Sequence, residues 1–239
     1  LHCDDAGALW FGTDRGIYRL DGEAFTHFSA VDGLVDDAIF DIGDTPLGLV
    51  CATSQGVYRY DGKRFVADSE ITGNYVFAVF RDAAGMLWFG TSAGVFNYGD
   101  QGTTNFTSAD GLASDGVWSI GQDAEGIMWF GTNAGLSRLD GDQALPLRTF
   151  TTADGLPHNR ISAIEPDAEG HLWFGTDGGL ARFDGQAFIR YTTADGLGHN
   201  DVQAICCDSD GLLWVCGRGG VVSCFDGTAW ATLDSRDGL

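Results

Sequence analysis

Short apolar runs of four or five residues recur along the chain, each closed by glycine or by an Asp-Gly pair, and no stretch shows a helical period. The run "LWFGT" at residues 9–13, 87–91 and 172–176 is aromatic and of β type. A second run such as "GLARF" (179–183) follows after a short Asp-Gly turn (Asp177–Gly178), which is the signature of a hairpin. An Asp-Gly pair then reverses the chain at Asp21, Asp61, Asp140, Asp184 and Asp226, and a third run such as "AFIRY" comes next. The segment "DGL" closes the unit at Asp32, Asp110, Asp154, Asp195 and Asp237. Where the chain runs on, an Ile or Val stands seven residues after that Asp and an Ile ten after, as with Ile161 and Ile164.

Aligned on the aromatic residue of the first run, the units place Trp10, Val50, Trp88, Trp129, Trp173 and Trp214 at spacings of 40, 38, 41, 44 and 41. Repeats of this length build solenoids or propellers, and four short strands per unit select the propeller. A lone four-stranded sheet cannot bury both faces, whereas sheets arranged radially cover one another and keep their edges short. The pattern predicts an all-β, single-domain β-propeller over residues 1–239. Its four-stranded antiparallel blades are written six times, and the Trp side chains pack between them. Each indole would bury on the order of 200 Å².

Composition refines this picture. Glycine stands at 36 of 239 residues, about twice the usual ~7%, with no Gly-X-Y period, and proline at only 4, so collagen and disordered linker are excluded. The acidic residues comprise 29 Asp and 5 Glu, an imbalance that fits turns rather than charged helix faces. With 34 acidic against 13 basic residues, the net charge of −21 repels phosphate backbones and argues against a nucleic-acid partner. No apolar run approaches the ~18 residues of a membrane span. Six cysteines do not follow the repeat and lack metal-ligand spacing; they read as small buried hydrophobes. The sequence opens at Leu1 without Met or a signal peptide, so it reads as a processed or excised piece, cut within a repeat at both ends.

The pattern "DxxGxLWFGTxxGLxRxDGxxFxxYxxxDGLxxNxVxxI" resembles the two-component regulator propeller repeat, and it covers essentially the whole chain. The unit starting at Asp4 and those around Trp129 and Trp173 match best. The second unit has Val50 for Trp, the third has Asn97 for Arg, and the sixth ("LLWVCGRGGVVSCFDG") carries one extra residue. Propellers of that family usually have seven blades, so the six counted here are either a complete ring or part of a seven-bladed one. The resemblance implies a non-catalytic sensor or binding propeller, the periplasmic or extracellular input domain of a bacterial signalling receptor. It also implies a small ligand such as a glycan fragment, or a partner protein domain, with the signal passed on by rigid blade packing or dimerisation.

Function is expected where the "DGL" crossing meets the next blade's inner strand. Five residues past its Asp stand Asp37, Asp115, Asn159 and Asn200, with Asn74 in the degenerate second unit. Such residues serve either as loop-capping Asx turns or as a polar ring that meets a ligand. At positions where the units disagree, the chain offers Phe40, Phe77 and Trp118, then Ser162 and Gln203. Tyr75, His158, Arg160, His199 and Asp201 stand nearby. Aromatics on one arc and His and Arg on the other suit a planar or sugar-like ligand; packing between inner strands is the competing role. A metal-assisted lyase of the streptogramin-lyase type is a further alternative, resting on His158, His199 and Glu165. No nucleophile elbow, phosphate loop or metal-ligand spacing is present, so neither a cofactor nor a metal is expected. The "DAEG" and "DSDG" turns are too short for a calcium loop.

Overall fold

The computed structural model describes residues 1–4, 6–34, 38–45, 48–72, 74–99, 102–139 and 147–238. Its architecture begins with one turn. Asp123, just after the strand Val117–Gln122, heads a five-residue reversal in which its Oδ1 accepts the backbone N–H groups of Glu125 (3.1 Å) and Ile127 (2.8 Å). Gly126, at φ +84°, closes the turn by donating to the Asp123 carbonyl (3.0 Å). That conformation is open to glycine without strain. The other carboxylate oxygen, Oδ2, accepts the indole N–H of Trp129 at 2.9 Å. The same bond joins Asp4 to Trp10, Asp82 to Trp88, Asp167 to Trp173 and Asp208 to Trp214, at 2.8–2.9 Å.

Each such turn joins the first two strands of a four-stranded antiparallel sheet, and six sheets with strands in chain order give the blades of an all-β propeller. Blade five is representative, with Ile161–Pro166, Leu172–Thr176, Gly179–Phe183 and Phe188–Tyr191. Three blades lie in each of two compact units, Leu1–Phe106 and Thr107–Leu239. The Asp140–Gly141 turn lies outside the described residues. Among those described, no helix is long and apolar enough to cross a membrane.

The indoles fill the space between blades, as the repeat predicts. In the second unit Trp129, fully buried, stacks on Phe150 of its own blade and meets Phe174 and Phe183 of the next at ring centroids of 5.6 and 5.3 Å. Trp173 meets Phe225 of blade six in the same way. In the first unit Trp10 packs on Tyr60 and Phe65 of blade two. The Arg of the repeat covers the ring: Arg19 lies 5.4 Å from Trp10, Arg138 5.3 Å from Trp129 and Arg182 5.7 Å from Trp173. Trp10, Trp129 and Trp173 are thus each bonded at the N–H, packed on the next blade and covered by a cation.

The departures from the repeat have local consequences. In blade two, Val50 replaces Trp and the strands Ile39–Thr45 and Gly48–Thr53 pair up to Thr45 opposite Gly48, leaving a two-residue connection. Asp44, which has no indole to hold, pairs instead with Nε2 of His2 in blade one at 2.6 Å. In blade six the extra residue lengthens the connection between Leu213–Gly217 and Val221–Phe225, where Gly219 and Gly220 take positive φ. The expectation that the cysteines are buried is corrected. Only Cys51 is, at the apolar position taken by Phe89, Phe130 and Phe174 in other blades. Cys206, Cys216 and Cys224 share the sheet face of the half-buried Trp214, through the pairings Cys206–Trp214–Cys224 and Ala204–Cys216, and Cys3, Cys206 and Cys216 are exposed. All six are free thiols.

Trp129→Ala should lower the unfolding free energy by ~3–5 kcal/mol, as a large-to-small core change does. Chemical denaturation checks this, and a parent-like midpoint would reject the inter-blade role. Acid should also loosen the blades. The indole bond holds the Asp4 and Asp208 carboxyls below the ordinary range. For Asp167, burial pushes upward, but the Trp173 indole and His171 outweigh it and the carboxyl ends low. Groups lowered on folding stabilise above the ordinary value of ~3.9 and lose that contribution as pH falls through their folded values. Stability measured by denaturation from about pH 5 to pH 3 should therefore drop, less steeply in Asp167→Asn.

Candidate functional site

At the end of the strands opposite the Asp-headed turns, the "DGL" segment is a single 3-10 turn, an element that apolar periodicity does not reveal. In Thr152–Asp154 the turn is closed by a reciprocal cap. Asp154 Oδ2 accepts the N–H of Thr151 at 2.9 Å, and Thr151 Oγ1 accepts that of Ala153 at 3.3 Å. Gly155 ends the turn at φ +116°, a left-handed conformation that accounts for the glycine of the motif. The same arrangement recurs at Ala30–Asp32, Ser108–Asp110, Thr193–Asp195 and Ser235–Asp237.

The short polar residues five places on complete this cap. Asn159 Oδ1 accepts the N–H of Thr152 and Asn200 Oδ1 that of Thr193, both at 2.8 Å. Asp115 Oδ1 accepts the N–H of Ser108 at 2.6 Å, and the Ser108 backbone and hydroxyl hold its carboxyl low. Asn74 is half-buried at the entry to the strand Val76–Arg81. Asp37 lies outside the described residues.

Immediately beyond, every described crossing enters a strand with a β-bulge. Ile161 pairs with Thr176 and Ala163 with Gly175, so Ser162 is the extra residue. The same slip isolates Phe40, Phe77, Trp118 and Gln203. A bulge turns the side chain it carries away from the ladder. It also sets residues three apart on one face, so that Ile161 and Ile164 enter one core cluster, as Val202 and Ile205 do. None of the five bulged residues is buried. They are the positions singled out as variable among the units.

In the first unit these positions form an aromatic patch. Phe40 and Tyr75 are 46% and 51% exposed, well above the core aromatics, and both face Phe77. Ring centroids lie 5.7 Å apart for Phe40–Phe77, 6.2 Å for Tyr75–Phe77 and 6.4 Å for Phe40–Tyr75.

In the second unit the positions are polar and cationic. Arg160 lies 5.7 Å from the Trp118 ring and pairs with Asp177 at 2.8 Å. One blade on, the ion pair recurs with its charges exchanged: Asp201 stands for Arg160 and Arg218 for Asp177, at 3.4 Å. His158 Nδ1 accepts the N–H of Arg160 and His199 Nδ1 that of Asp201. In the neutral ring both Nε2 atoms then carry the proton and serve as donors. Ser162 Oγ donates to the Val202 carbonyl at 2.5 Å, linking neighbouring first strands. Glu165, near the far end of its strand, accepts the N–H of Cys207 at 3.4 Å, and burial raises its carboxyl against that bond. The sequence reading identified these residues but missed the bulge that presents them and the partners Asp177 and Arg218.

The exchanged ion pair yields a direct test. Arg160→Asp or Asp177→Arg alone should cost ~0.2–1 kcal/mol of stability, the range of partly exposed pairs. The double exchange should recover most of that loss, because blade six already uses that polarity. A double-mutant cycle by thermal denaturation reads the coupling, and additive losses would show that the pair is not coupled.

With this geometry in place, comparison with known proteins gives three findings. Residues 70–93, 111–134, 155–178 and 196–219 match the two-component regulator propeller family. The extracellular domain of a hybrid two-component system from B. thetaiotaomicron superposes with a TM-score of 0.88 at 25% identity, over 99% of this chain and 34% of that one. The extracellular domain of a one-component system from the same organism gives 0.68 at 16% identity, over 98% and 42%. This chain therefore spans less than half the length of either. Virginiamycin B lyase from Staphylococcus aureus gives 0.75 at 14% identity, over 98% of this chain and 82% of that one, a likeness of fold alone. No protein of curated function matches the sequence. Four segments of this chain, each leading from a crossing into the hairpin of the next blade, thus match the repeat of the two-component regulator propeller.

Proposed function

We propose that this chain is the extracytoplasmic ligand-sensing propeller of a bacterial signalling receptor, and that its ligand is received on the face carrying the "DGL" crossings. The observation that carries this reading is the row of bulges. At each one the chain exempts a side chain from the ladder, aromatic at Phe40, Phe77 and Trp118 and polar at Ser162 and Gln203, while the Ile or Val one place before and two places after it packs into the blades, buried or half-buried. Structural repetition alone does not call for such variation.

The patch of Phe40, Tyr75 and Phe77 suits the flat face of a sugar ring or another planar group. In the second unit Trp118 offers a similar surface, and Arg160 and the Nε2 atoms of His158 and His199 offer donors. The oxygens of Asn159 and Asn200 are engaged in the caps, which leaves their Nδ2 groups to meet a hydroxyl. The likeness to extracellular domains of bacterial one- and two-component systems supports a sensor role in the same compartment.

A thermal-shift panel of mono- and oligosaccharides tests the reading. A binding sugar should lose ~1–2 kcal/mol of affinity in Trp118→Ala, the order of one aromatic contact, with little change in Tm. Unchanged affinity with a large loss of stability would make Trp118 a core residue. Capture of a protein domain by the Phe40 patch, with no sugar bound, would replace the small-ligand reading with a scaffold role.

A further inference from the structure

A groove lies at the opposite end of the strands, beside the Asp-headed turns of the first unit. Between blades four and five the groove at these turns holds about 160 Å³, with Arg138 and Phe183 in its walls. Between blades one and two the equivalent walls carry Arg19 and Tyr60, yet the groove holds about 580 Å³. That volume falls within the roughly 300–1,000 Å³ of small-molecule sites. The enlargement coincides with the departure of blade two from the repeat. There the strands pair up to Thr45 opposite Gly48, a two-residue connection replaces the five-residue turn, and Arg81 of blade three joins the lining.

Two guanidiniums, Arg19 and Arg81, reach this groove. Arg81 is exposed and, among the described residues, makes no ion pair. Arg19 Nη2 donates to Asp21 at 3.0 Å while its guanidinium covers Trp10. Its Nε is buried and, among the described residues, has no hydrogen-bond partner. Two carboxylates, Asp4 and Asp44, line the same groove, and both already accept hydrogen bonds. Asp4 accepts the Trp10 indole and two backbone N–H groups, and Asp44 holds His2. Two guanidiniums thus line one groove in a chain that has only 13 basic residues and a net charge of −21. Guanidinium groups match carboxylates in shape and charge.

The geometry points to a site for a small hydroxylated carboxylic acid, its carboxylate held by Arg81 and its ring lying against Tyr60. This site is separate from the crossing face and does not depend on it. Calorimetric titration at low salt with glucuronate, and with glucose as its uncharged counterpart, tests the assignment. Glucuronate should bind at least about tenfold more tightly than glucose, and Arg81→Met should remove about that factor, the worth of a charge-assisted hydrogen bond. Trp118→Ala should leave the titration unchanged. Equal binding of the two sugars, retention of affinity in a folded Arg81→Met, loss of it in Trp118→Ala, or no glucuronate binding at millimolar concentrations would each overturn the proposal.

Discussion

The hydrogen bond from the N–H of Trp10, Trp88, Trp129, Trp173 and Trp214 to the aspartate six residues earlier is the interaction on which their blades depend. One carboxylate performs two tasks: Oδ1 shapes the turn between the sheet's first two strands, and Oδ2 fixes the indole that joins this sheet to the next. A buried indole whose N–H had no acceptor would carry a desolvation cost of ~1–3 kcal/mol. A turn without its side-chain acceptor would leave two backbone N–H groups to water. Joining both requirements in one residue means that local folding and inter-blade packing cannot come apart. Blade two shows the converse: where the indole is lost, the turn is also replaced, and the aspartate takes His2 as its partner.

With one end of each strand committed to this turn and the other to a capped 3-10 turn, little of the repeat is left free to vary. The bulge supplies the freedom on the crossing face. The altered turn of blade two supplies it on the other, where a groove opens that its counterpart between blades four and five does not match in volume. Both candidate sites therefore arise where the repeat is interrupted or relaxed.

Much of this was legible in the sequence. The strands, their order and the tryptophan layer follow from Asp-Gly punctuation and a constant aromatic, because turn chemistry and inter-blade burial act on short stretches of chain. The second task of the aspartate was hidden, since a residue already explained by a turn gives no sign of a further partner. The bulge was written in the spacing of Ile161 and Ile164. Three residues apart, they would face opposite sides of a regular strand, and only an inserted residue lets both enter one core. The cysteines misled because alternation identifies a shared face but not whether anything covers it; Cys206, Cys216 and Cys224 share a face that is only partly covered.

The bulge also bears on how such a protein can change. A side chain exempt from the ladder is not held to one chemistry by strand pairing, so replacing it need not disturb the fold. Duplication of a blade copies the scaffold together with one unassigned address. Phe40, Phe77, Trp118, Ser162 and Gln203 hold five such addresses, each rewritable by point substitution. A lineage built on this repeat can diversify what it recognises one residue at a time, without having to solve the folding problem again.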